Sequence, residues 1–133
     1  MYKKIEGVLK DESTRPKVSN SQQAYEMANG MIKKKDRENF VVIGMNARYI
    51  VNFADVVAIG GRDGVELDNA LILKDLIVND CIYCVVAHNH PTGQTSPSTA
   101  DIIILDKLKQ ALDLVGIKLM DNLIIGNNEY YSI

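Results

Sequence analysis

Residues 81–87, Cys-Ile-Tyr-Cys-Val-Val-Ala, form an unbroken apolar run rich in β-branched side chains. Successive side chains of a strand point to opposite faces, so a strand with water on one side alternates. This run does not alternate. It belongs in the interior of a sheet with helices over both faces, and it is far too short to span a bilayer, which takes about 20 residues. The rest of the chain must supply the flanking strands and the covering helices.

The chain has 133 residues, enough for one domain with its own core. We read it as a single domain, 1–133, with residues 1–19 as an N-terminal strand ("YKKIEGVLK") and a polar linker. Ser19 with Gln22 gives a capping-box pattern for a first helix. That helix carries Ala24, Met27/Ala28 and Met31 at helical spacing and ends in the run Lys33-Lys34-Lys35. "NFVVIGMN" reads as a strand, "NAR" (46–48) as a hairpin turn, and "YIVNFADVVAIGG" as a second strand with a bend. "GGRDG" (60–64) is a loop. "LDNALILKDLIVND" fits a helix with two apolar rows, one of Leu67, Ala70/Leu71 and Lys74, the other of Leu73, Leu76 and Ile77. After the apolar run a third helix spans Ser98 to Val115. Its apolar face is Ile102, Leu105, Leu108, Ala111/Leu112 and Val115, with Gly116 as its stop. "IKLMDNLIIG" and "EYYSI" close the chain as two strands around "GNN" (126–128). Strands and helices mix without strict βαβ alternation. The expected class is α/β or α+β: a mixed central β-sheet flanked by helices.

Composition excludes some functions. With net charge −2 there is no global basic footprint for nucleic acid, and the lysine run is a solvated helix end favoured by the helix dipole. No segment resembles a signal peptide, so a cytoplasmic location is expected, with no membrane partner. Cys81 and Cys84 make a C-x-x-C. In an extended strand, residues three apart face opposite sides, so we read them as separate buried thiols and not as a redox or metal pair.

The chemistry lies just beyond the apolar run, in "HNHPTGQTSPSTAD" (88–101). His88 and His90, the only histidines of the chain, are two residues apart. In extended backbone their rings point the same way, which is half of a zinc site. Catalytic zinc usually takes three protein ligands and keeps a fourth position for water. Asp101 can be the third, because Pro91, Gly93 and Pro97 suit a compact loop that folds the next helix back onto the histidines. Ser98-x-x-Asp101 is also a helix-capping pattern. The two roles are compatible, since a helix can start at Ser98 while Asp101 faces a metal. The contiguous letters "HNH" carry no weight as a nuclease signature, because in those enzymes the three residues are spread over a ββα unit.

Read as H-x-H-x7-S-x2-D, residues 88–101 resemble the motif of the JAMM (JAB/MPN-type) metalloproteases. The Asn between the histidines, "HPTG" and the "PS" before the helix are most similar to the bacterial RadC-like branch. "RENFVVIGMNARYIV" (37–51) resembles that family's first hairpin and "LMDNLIIG" (119–126) its late strand, so the resemblance runs from about Asn20 to the end. It implies the JAB1/MPN-like, cytidine-deaminase-like architecture. It further implies Zn²⁺ on His88, His90 and Asp101, Ser98 helping to hold the reacting oxygen, and Glu38 as the catalytic acid–base. Zinc lowers the pKa of bound water to about 7, and a nearby carboxylate can then take its proton. Glu66 and Asp36 are competing acids. The chain departs from the family in two places. Its "GVELDNAL" (64–71) has Glu66 with no adjacent Arg where the family often has an Arg-Glu pair, and Asp121-Asn122 replaces Asp-His. Relatives commonly carry an N-terminal helix-hairpin-helix-like region suggesting DNA contact, which this chain is read as lacking.

The expected function is therefore a zinc-dependent hydrolase of amide bonds, peptide or isopeptide, acting on a protein or peptide substrate. A second reading is a DNA-maintenance accessory or protein-binding module with a structural metal site, although the charge does not favour DNA. A third is a small-molecule amidase using the same zinc chemistry. Oligomeric state is open.

Overall fold

A computed structural model describes residues 12–60 and 66–133. The expected N-terminal strand lies outside these residues, as does most of the 60–64 loop. After a 3-10 turn at Glu12–Thr14 come helix α1 (Ser21–Met31), strands β1 (Glu38–Met45) and β2 (Val51–Gly60), and helix α2 (Asn69–Val78). Strand β3 (Tyr83–Asn89), helix α3 (Thr99–Leu114) and strands β4 (Lys118–Ile125) and β5 (Tyr130–Ser132) follow. The class is α+β, a mixed five-stranded sheet in the order β2-β1-β3-β4-β5.

Residues 83–87 of the apolar run lie in the middle strand. β3 pairs antiparallel with β1 and parallel with β4, and the parallel pairing needs a crossover, which α3 supplies. Each face of β3 is covered. Val85 and Ala87 pack with Ala24, Ala28 and Ile32 on the α1 side. Cys84 and Val86 pack with Ile72 and Leu76 of α2 and with Leu105, Leu108 and Leu112 of α3. Each large apolar side chain buried this way contributes about 1.5–3 kcal/mol relative to exposure. Asp121 accepts hydrogen bonds from the hydroxyls of Ser21 and Ser132, tying α1 to β4 and β5.

Several local expectations shift. The N-cap of α1 is Asn20, whose side chain accepts from the Gln23 N–H, while Ser19 donates to the Gln23 side chain. The helix ends at Met31, so the lysines follow it. The β1–β2 turn extends past "NAR" to Ile50, with the Asn46 side chain accepting from the N–H groups of Arg48 and Ile50 and with Tyr49 at φ 62°. The bend in the second strand is present. Its register against β1 slips by one residue between Phe40 and Val41 and again between Gly44 and Met45.

In α2 the buried residues are Ile72 and Leu76, while Leu71 and Ile77 are exposed. A helix reading Leu-Ile-Leu-Lys-Asp-Leu-Ile-Val is apolar nearly all round, so periodicity cannot single out its inner face. In α3 the inward row is Asp101, Leu105, Leu108 and Leu112; Ile102 is 53% exposed and Val115 43%. Three isoleucines in a row, 102–104, leave the phase open, and an acid turned inward is what decides it. Gly116 does stop the helix, at φ +76°.

Both cysteines are buried, as expected, but they share one core layer. Cys81 precedes β3 and is not extended with it, so the opposite-faces argument does not apply. It fills the space above Gly44, where a Cβ would lie 2.5 Å from Cys81 Sγ and 2.6 Å from Leu76 Cδ2. Gly44→Ala is expected to lower the unfolding free energy by about 1–3 kcal/mol through overpacking. Chemical denaturation measures this, and an unchanged midpoint would mean that α2 yields at no cost.

Candidate metal centre

Strand alternation splits the C-terminal end of β3 into two environments. His88 points to the α2/α3 side with Val86, and Asn89 to the opposite side. β1 does the same in reverse order. Phe40 pairs with His88, so Glu38, two residues earlier, emerges on the histidine face beyond the last rung. The chain then turns: the Gly93 N–H donates to His90 O at 2.9 Å, and Gly93 takes φ +81°. A side chain at Gly93 would run into Asn127, so the β4–β5 turn backs this loop and only glycine suits the position. The loop delivers the chain to Ser98, which caps α3.

Cap and convergence coexist at Ser98 and Asp101. Ser98 Oγ accepts from the Asp101 N–H at 3.0 Å, and Asp101 Oδ2 accepts from the Ser98 N–H at 2.9 Å. The reciprocal box turns the Asp101 carboxylate inward. There His90 Nε2 lies 2.9 Å from Oδ2, His88 Nε2 lies 3.4 Å from Oδ1, and the two Nε2 atoms are 3.2 Å apart. Glu38 completes the group, because one donor atom from each of the four residues lies within 4.8 Å of the other three. All five residues singled out in the sequence, Glu38, His88, His90, Ser98 and Asp101, line one open cavity of about 450 Å³. Phe40, Ile104 and Leu105 form its apolar wall and Thr92, Gln94 and Ser96 part of its rim. Glu66 and Asp36 do not join the cluster.

The surroundings set the charges. Burial pushes the His88 pKa below the usual imidazole range, against the pull of Asp101, so the ring is neutral near pH 7, the form in which imidazole can hold a metal. Burial also acts to raise the Asp101 carboxyl. The Ser98 N–H, the charge of His88 and the hydrogen bonds from Ser98 and His90 outweigh it and hold Asp101 below the ordinary carboxylate range. Burial lifts Glu38 above that range, with help from the Asp101 charge. Two acids a few ångströms apart are thus shifted in opposite directions, an arrangement typical of acid–base sites.

The donors fit a divalent cation. Ligands about 2.0–2.1 Å from a tetrahedral centre stand about 3.3 Å from one another, and the 2.9, 3.2 and 3.4 Å separations bracket that. Among the described residues no lysine or arginine lines the cavity, so only the histidines oppose the two carboxylates. His90 Nδ1 lies 3.1 Å from the Gln94 carbonyl. A proton on Nδ1 donates there and leaves Nε2 as the lone-pair donor.

Residues 18–133 match the family described as RadC-like JAB domain. The chain belongs to this family. It is 32% identical over 114 residues to a UPF0758 protein of Carboxydothermus hydrogenoformans, covering 86% of this chain and 50% of that one. It is 34% identical over 97 residues to the UPF0758 protein YeeS of Escherichia coli K12, covering 73% of this chain and 66% of that one. A UPF0758 protein of Methanosarcina mazei is 26% identical over 122 residues, 92% of this chain and 53% of the relative. The chain spans about half the length of several of these relatives. The mixed, helix-flanked sheet is consistent with the JAB/MPN fold, and a RadC-like JAB domain with a Glu-His-His-Asp group able to hold a metal is what this chain presents. No helix among the described residues is long and apolar enough to cross a membrane.

Three parts of the centre escaped the sequence reading. Phe40 stacks on His88 with ring centroids 5.9 Å apart, and Gln94 holds His90 through a backbone atom that any residue could supply. The third is a buried pair, Asn39 (3% exposed) and Asn89 (2% exposed). A signal for it was present, since strand alternation sends the Asn between two histidines to the opposite, apolar face, where its amide must find partners.

Proposed function

We propose that this RadC-like JAB domain is a zinc-dependent hydrolase of amide bonds, peptide or isopeptide, acting on a protein or peptide substrate. The observation that carries the reading is the convergence of the Glu38 carboxylate on the His88, His90 and Asp101 donors inside an open cavity.

In this reading His88 Nε2, His90 Nε2 and Asp101 Oδ hold Zn²⁺. When bound, the ion supplies water acidified to a pKa of about 7 and polarisation of the scissile carbonyl. Glu38 takes a proton from the attacking water and returns it to the leaving amine. Its burial makes the carboxylate a better proton acceptor, in keeping with that role. Ser98 Oγ already accepts from the helix N–H, so the hydroxyl's own proton can be donated to the oxyanion. Phe40, Ile104 and Leu105 bring apolar surface to the cavity, which suits the uncharged backbone and side chains of a peptide. A cytoplasmic location goes with this proposal.

The deciding measurement is metal content by mass spectrometry on untagged protein purified without chelator, beside a His88→Ala/His90→Ala double variant. We expect about one zinc per chain, lost in the variant. If wild-type protein carries no metal and takes up none on adding zinc, the loop is only a strand–helix turn and the proposal fails.

A further inference from the structure

We propose that Asn89, the residue between the two histidines, is a positioning residue that locks the backbone of Glu38 in register with them. The ladder between β1 and β3 ends at Phe40 and His88. Beyond it, a side chain takes over the work of a strand. Asn89 Oδ1 accepts from the Asn39 backbone N–H at 2.7 Å, and Asn89 Nδ2 donates to the Arg37 carbonyl at 2.9 Å. Those two groups are the peptide N–H just after Glu38 and the peptide C=O just before it. One carboxamide therefore brackets Glu38 as a paired strand residue would.

Asn39 reinforces the bracket. Its Nδ2 donates to the carbonyls of Lys34 and Arg37, each at 2.9 Å, and lies 3.2 Å from Asn89 Oδ1. This clamp lies on the α1 side of the sheet, while the donor cluster lies on the other. Asn89 touches neither the cavity nor the donor atoms. It acts through the backbone alone. Glu38 follows the exposed residues 33–37 and pairs with Gly60 of β2 on its other side, but among the described residues no other group in the centre holds its main chain against β3. Buried amides left without partners are costly, so the pair has one satisfied arrangement.

This inference rests on the metal-site reading for its first test. Cobalt(II) is titrated into wild type, Asn89→Ala, Glu38→Gln and the double variant, followed by visible absorption. Asn89→Ala should bind one cobalt with affinity within about threefold of wild type, because all three ligands remain. Loss of a group that supports the ligands themselves costs about 10–100-fold. Its absorption band should move onto that of Glu38→Gln, and the double variant should add no further shift. A wild-type band in Asn89→Ala overturns the proposal, as does the larger affinity loss.

The second test needs no metal and so separates this proposal from the previous one. Amide hydrogen exchange should show the Asn39 N–H about tenfold or more less protected in Asn89→Ala, with Val41 and Val86 unchanged. Equal protection at Asn39 overturns the clamp even if the protein binds no metal. Should Asn89→Ala not fold, Asn89→Asp keeps the acceptor for Asn39 and removes the donor to Arg37. It should give a partial form of both effects, and wild-type behaviour in both would again overturn the clamp.

Discussion

Glu38→Gln is expected to slow hydrolysis of a confirmed peptide or isopeptide substrate by about 10²–10⁴-fold while leaving zinc content unchanged. The amide keeps the size of the carboxylate and its place in the cavity but cannot accept and return a proton. The three residues proposed as ligands are untouched: they come from β3, the loop after it and α3, whereas Glu38 comes from β1. Steady-state kinetics with metal analysis on the same samples checks the prediction. A variant that keeps both its rate and its zinc would remove Glu38 from the chemistry and with it the proposed proton route. A variant that loses zinc as well would make Glu38 a ligand instead.

Asp101→Ala should show the next largest effect, in metal binding and in stability together. Asp101 receives the Ser98 N–H and faces both histidines. Removing it opens the capping box and leaves a buried imidazole and a backbone N–H short of a partner, a cost of about 1–3 kcal/mol in metal-free protein. Denaturant unfolding without metal isolates that cost, and a zinc titration should show no stoichiometric uptake. Full stability in the metal-free variant would show that the box contributes nothing to the fold.

The same groups give the metal-free protein a pH dependence of definite sign. His88 is held below its ordinary 6.5 by burial, so below that pH the unfolded chain binds a proton that the folded one refuses. Stability falls as the medium is acidified from about pH 6.5 towards the lowered pKa. Asp101, held below its ordinary 3.8, adds a second loss of stability as pH falls below that value. Glu38 works in the opposite sense: its raised pKa contributes stability below 4.5 that is lost as pH rises through the folded value. Thermal denaturation of the metal-free Glu38→Gln variant, which removes the opposing Glu38 contribution, should therefore show a falling midpoint between pH 7 and 5. A flat midpoint there would mean that His88 titrates as it does in the unfolded chain.

The fold was legible where one residue pattern admitted one outcome. The run at 81–87 read as a central strand, and its residues 83–87 lie in the middle strand of the sheet. The helix stop at Gly116 and the Ser98 cap were equally readable, each depending on a few adjacent residues. Where several patterns were equivalent, the reading slipped. α2 is apolar on most sides, so its inner face depends on what packs there. In α3 the expected Leu105, Leu108 and Leu112 do face inward, but the ends of the row differ: Asp101 takes the inward place in the first turn, and Ile102 and Val115 are exposed. Cys81 was placed on the strand, but the chain becomes extended only at Tyr83.

By itself the sequence determined that this chain carries two histidines in step, an acid one loop later and a cap that aims it, because strand alternation and helix capping act over a few residues. The family resemblance alone put Glu38, 50 residues before His88, with them; the tertiary structure gives the reason, because its place depends on β1 pairing with β3. It also decided that the amide of Asn89 faces away from the centre and closes on the backbone around Glu38. Pairing of distant strands is set by the packing of the whole core, and no local pattern in the chain encodes it.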